Sequence, residues 1–245
     1  MTPPRRPRGL FTELTEGVYW FLVIDVMLVL AAAPTLLGWT LLAPGLLSSL
    51  VFVIAALPLL PAIAAALYAC SAWREDHELI PARQFLRGYR LNALDSLRVG
   101  APVLLVLGLA ALNLTYADAV GTSMLNIVFL VVGAASLLVL ARALSIVSRF
   151  SFRVRDVFRL TAFTLLVKPL STLALVSLGV LTLGIILLIG EFLLLVTASL
   201  LVFALWASER KVAEMLTDQF VSPPVSSAES SPQGSAADAR PLEES

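Results

Sequence analysis

The chain has 245 residues, 59% of them apolar and 14% charged, with 17 basic side chains against 17 acidic ones. Soluble domains sit near about half apolar and about a quarter charged, so this balance makes lipid the main solvent. Zero net charge removes any global field toward nucleic acid, and a lone cysteine, Cys70, excludes an intramolecular disulfide framework.

Residues 1–17 carry Arg5, Arg6 and Arg8 and read as a short basic cytoplasmic tail. The apolar run that follows, Val18 to Leu37, is long for the core of a cleaved signal peptide. It suits a membrane span, which needs about 20 apolar residues to cross ~30 Å of hydrocarbon. Further spans are expected at Leu47 to Cys70, Val99 to Thr115 and Thr122 to Val147. From Phe163 to Ala207 the only charges are Lys168 and Glu191. As one helix that stretch would be roughly 68 Å long, so it must fold back. Gly184, Gly190 and Glu191 mark the turn, giving spans near 163–183 and 187–207.

Six spans sort the charges. The three odd-numbered connections hold no Lys or Arg, while all 17 lie in or near the tails and the even-numbered loops. Basic residues accumulate on the cytoplasmic side, so both termini are expected there. The expectation is an all-α, polytopic helical bundle of about six spans in the cell membrane. Residues 18–208 form the membrane domain. Residues 209–245 form a second cytoplasmic tail, too poor in apolar surface to order from about 217 onward.

The inner loops carry the most information. In PARQFLRGYRLNALDSLR, from Pro81 to Arg98, Ala82, Phe85, Leu86, Tyr89, Ala93 and Leu97 recur at helical spacing. Arg83, Arg87 and Arg90 fall on another face, and Pro81 suits a first helical position. The second arm, Ser148 to Leu160, sets Phe152, Phe158 and Leu160 among Arg153, Arg155 and Arg159, with Ser151 as a candidate N-cap. Each arm reads either as an amphipathic helix in the lipid headgroup layer or as a docking surface for a partner. Each precedes a span containing a proline, Pro102 or Pro169, which gives the chain a weak internal repeat.

Polar residues inside the spans are few. Asp25 lies eight residues into the first run, where an acid is costly and by default a functional candidate. It reads as a structural acid paired with Arg142, or as a proton or substrate site. Asn113 and Asn126 sit near the outer ends of spans three and four and suit interhelical hydrogen bonds. Pro34, Pro58, Pro61, Pro102 and Pro169 each free a backbone carbonyl that needs another partner. Ala62 with Ala66, and Ala65 with Ala69, have the spacing of close helix packing.

No phosphate-binding loop, nucleophile elbow, HExxH or CxxC occurs. Glu75, Asp76, His77 and Glu78 read as a solvated loop rather than a metal site. No enzyme activity, cofactor or nucleic-acid partner is expected.

The stretch LPLLPAIAAALY, Leu57 to Tyr68, followed by FLRGYRLN, Phe85 to Asn92, resembles the YesL-like family of predicted bacterial integral membrane proteins, a domain of unknown function. The resemblance spans roughly residues 10–210; Asp25 and the C-terminal tail depart from it. It implies a polytopic protein associated with carbohydrate uptake systems and supplies no catalytic residues. Two functions follow as expectations. One is an accessory or interaction component whose arms contact transporter subunits, with a homo-oligomer also open. The other is a small-solute transporter or channel with a polar path near Asp25.

Overall fold

The computed structural model describes residues 10–40, 46–75, 80–115, 123–150, 152–188 and 190–216. The basic N-terminal segment, the acidic cluster from Asp76 to Glu78 and the tail from 217 lie outside them. Every element among the described residues is helical: α1 Leu10–Thr40, α2 Leu46–Ala55, α3 Leu59–Glu75, α4 Pro81–Thr115, α5 Ser123–Val147, α6 Val154–Val167, α7 Pro169–Leu188 and α8 Glu191–Leu216. Among the described residues, six stretches are long and apolar enough to cross a membrane: Thr15–Thr40, Val51–Trp73, Pro81–Thr115, Met124–Val147, Pro169–Leu188 and Leu193–Arg210.

Proline chemistry sets several boundaries. Between α2 and α3, Pro58 and Pro61 cannot donate to the carbonyls of Ile54 and Leu57. The backbone tightens so that Leu57 N–H reaches Ile54 O at 3.1 Å and Leu60 N–H reaches Leu57 O at 3.2 Å. At the α6–α7 junction, Pro169 forces Lys168 out of helical geometry (φ −115°, ψ 71°). The carbonyl that Pro169 leaves free, that of Leu165, accepts instead from the Thr172 hydroxyl at 2.9 Å. All three orphaned carbonyls are therefore satisfied within the protein, as a lipid solvent demands.

The centre of the bundle is α3, which packs against α1, α4, α5 and α8. Ala62, Ala64, Ala65, Ala66, Ala69 and Cys70 are all fully buried. Such a surface lets backbones approach closely, and α4 answers with glycines. A Cβ at Gly88 would stand 2.8 Å from Tyr68 Cδ1, one at Gly100 would stand 2.6 Å from Leu60 Cδ1, and one at Gly108 would overlap Val53 Cγ2. The three contacts ascend α4 while descending α3 and α2, so the pair is antiparallel along its whole length.

At the far end of the chain, α7 and α8 form a hairpin that turns at Gly190, whose φ of +109° is one that L side chains rarely adopt. Gly184, the other expected turn residue, lies within α7. The periphery is apolar and exposed, for example Leu166, Leu170, Leu187 and Leu188. In water such a surface would aggregate; in lipid it is the solvated face.

Two expectations about the arms change. The first arm is not a separate element: Pro81 to Arg98 continues into the span as one helix of 35 residues, α4. The second arm is a short separate helix, α6, with Arg153 rather than Ser151 at its cap position, and the fifth span starts at Pro169 rather than near 163.

Candidate functional site: the polar groups of the bundle

A charged cluster joins three helices. Arg142, five residues before the end of α5, is 0% exposed. Its Nη2 donates to Glu209 Oε1 on α8 at 2.9 Å and to Ser171 Oγ on α7 at 2.8 Å. Ser171 Oγ in turn stands 3.0 Å from Glu209 Oε1 and 3.2 Å from the Ser208 carbonyl. One guanidinium nitrogen and one carboxylate oxygen thus tie α5 to the α7–α8 hairpin. Arg142 Nε and Nη1 are buried and make no hydrogen bond among the described residues.

Beside it, Arg149 reaches across the same interface. Its guanidinium lies 5.5 Å from the Trp206 ring centroid, and its Nη2 is 3.4 Å from the Trp206 carbonyl. The Trp206 indole N–H donates to Ser71 Oγ at 2.9 Å, which links α8 to α3. Trp206 continues into an aromatic layer: Phe203 at 5.5 Å, Phe21 beyond it, and the Trp20–Trp73 stack at 5.0 Å. These rings fill the base of the α1–α3–α8 contact, and the buried Trp206 indole N–H finds its partner in Ser71.

Asp25 occupies a different place from the one its sequence position suggested. It does not meet Arg142. Its Oδ1 accepts from the backbone N–H of Ser199 on α8 at 2.7 Å, and the residue remains partly exposed at the α1–α8 edge. The reason is depth. Asp25 lies ten residues inside the first span and so about 15 Å from its start. Arg142 and Glu209 both lie near the arginine-rich ends of their helices.

Asn113 donates to the Leu109 carbonyl of its own helix at 2.8 Å rather than across helices, and Asn126 is half-buried on α5.

The arms show an inward and an outward face. Phe85 is 2% exposed, Gly88 abuts Tyr68, and Tyr89 is half-buried with its ring 6.4 Å from that of Phe85. The aromatic members of the expected contact surface thus face α3. Arg83, Arg87 and Arg90 face outward together with Leu86, Leu91 and Leu94, and around a shallow open hollow. On α6, Val157, Thr161 and Thr164 are buried while Arg153, Arg155 and Arg159 are exposed.

Glu209, Ser171, Ser71 and Trp206 were not legible as site residues. The available signal for Glu209 was its place inside the last apolar window, one residue before Arg210.

This arrangement defines a six-span, all-helical integral membrane protein with an internal ion pair and arginine-edged arms. No family model, no curated protein and no solved structure matches the chain.

Proposed function

We propose that the protein is an accessory component of a membrane complex, docking its partner through the outward arginine–leucine face of α4 and the arginine edge of α6. The supporting observation is the split of the α4 arm. Its aromatic and glycine positions are committed to α3, whereas Arg83, Leu86, Arg87, Arg90, Leu91 and Leu94 face away from the bundle. Alternating cations and leucines suit a partner that presents acidic and apolar groups together. The distribution of Lys and Arg favours a cytoplasmic site for this face and for both termini. The resemblance to the YesL-like family suggests a bacterial carbohydrate uptake system as the setting, with transporter subunits as the partners.

A solute path through the bundle has weaker support, because Asp25, its best acid, holds the Ser199 backbone. Replacement of Arg83, Arg87, Arg153 and Arg155 by Ala, followed by tagged purification in mild detergent and mass spectrometry, tests the docking reading. Transporter subunits are expected to co-elute with the wild type and to be lost from the variant. Unchanged association in the variant refutes it.

A further inference from the structure

We infer that Asp25 is the seat, inside the bilayer, for a Lys or Arg carried by a single membrane helix of a partner protein. This rests on the reading that the protein works within a complex, and it adds a contact on a different surface from the arms.

Asp25 lies deep in an apolar span and is partly exposed. Ser199 N–H satisfies one oxygen, and Asp25 forms no ion pair among the described residues. Aspartate is too short to snorkel to the interface, unlike lysine or arginine. A cation at the same depth would offset the cost of holding the carboxylate charged there. No described basic residue supplies one: Arg142 is closed on Glu209, and Arg98 stands beside Asp95.

The surroundings suit a helix. On α1, Val18, Leu22, Val26 and Leu30 form an exposed stripe at four-residue spacing beside Asp25. On α8, Val196 and Leu200 are exposed beside the fully buried Ser199. A partner helix can therefore lie along two apolar ridges with its cation against the carboxylate. Charge complementarity fixes both its depth and its rotation.

The test reconstitutes the full chain in phosphatidylcholine–phosphatidylglycerol vesicles with a dye-labelled leucine–alanine membrane helix carrying one central Lys. The control helix has Leu in its place. Energy transfer to the protein reports association. The wild type is expected to bind the Lys helix roughly five- to thirty-fold more tightly than the Leu helix. Asp25→Asn keeps an oxygen for Ser199 N–H and so keeps the fold, but reduces binding of the Lys helix to the control level. Asp25→Glu retains the preference. The variant lacking the four arm arginines binds the Lys helix like the wild type, so failure of arm docking leaves this measurement intact. Equal binding of the two helices to the wild type overturns the inference, as does an unchanged preference in Asp25→Asn.

Discussion

Breaking the Arg142–Glu209 pair tests the fold at its most demanding point. The side chains are 0% and 2% exposed, and Nη2 to Oε1 is 2.9 Å, so water screens little of their interaction. Arg142→Met leaves a buried carboxylate that keeps the Ser171 hydroxyl but has lost its hydrogen-bonded cation. Glu209→Met leaves a buried guanidinium with three nitrogens lacking a charged partner. Removing one partner of such a pair costs about 3–5 kcal/mol, whereas replacing both with apolar side chains of similar volume is about neutral or stabilising. For a chain of this size a loss of that order lowers the melting midpoint by on the order of 10 °C.

The molecule supplies its own assay. Cys70 is the sole cysteine and is 0% exposed, so a fluorogenic maleimide labels the protein only as the bundle opens. Both single variants are expected to label at markedly lower temperature. Arg142→Met/Glu209→Met is expected to melt within a few degrees of the wild type. If the double variant loses the sum of the single losses, the two groups are not coupled, and the reasoning from the buried pair fails.

Gly88→Ala and Gly108→Ala place a methyl group against Tyr68 Cβ and Val53 Cγ2 and should lower the same midpoint by an amount equivalent to about 1–3 kcal/mol, whereas Gly179→Ala, with open space around it, should be neutral or slightly stabilising. Trp206→Phe removes the indole bond to Ser71 and weakens the Arg149 contact, with an expected cost of about 1–2 kcal/mol in dye-labelling melts; an unchanged midpoint would mean that water replaces both contacts. Gly190→Ala strains the α7–α8 turn at φ +109° and should cost about 1–3 kcal/mol. Alkaline phosphatase fused to the C-terminal tail should be inactive while green fluorescent protein fused there should fluoresce, and the reverse would overturn the orientation read from the arginines.

What the sequence could disclose followed from what its signals measure. Apolar runs measure solvent, and they gave the six spans. They do not measure helix continuity, which is why the arm and third span read as two elements. Nothing between Leu94 and Arg98 stops a helix, and Pro102 lies inside α4. Leu86 recurs with Phe85 and Tyr89 at helical spacing, yet it is 53% exposed, while Gly88 faces α3. A stripe scored by hydrophobicity is blind to the residue whose value is its lack of a side chain. The carbonyls freed by Pro58, Pro61 and Pro169 were foreseeable; their partners depended on local turns that only the backbone reveals.

The pairing of charges was the larger loss, and depth is the argument that would have recovered it. Two acids, Asp25 and Glu209, are candidates to pair with Arg142. Arg142 lies five residues from the end of α5, or about 8 Å by helix rise, and its side chain spans most of what remains to the bundle's arginine-rich end. Glu209 sits at the last turn of its span, at matching height, whereas Asp25 lies about 15 Å inside the first. Glu209 was counted instead with Arg210 and Lys211, as charge following a span. Sorting charges by loop answers which side of the membrane they occupy. Sorting them by rise from the helix end answers which of them can meet, and it leaves Asp25 without an ion pair among the described residues.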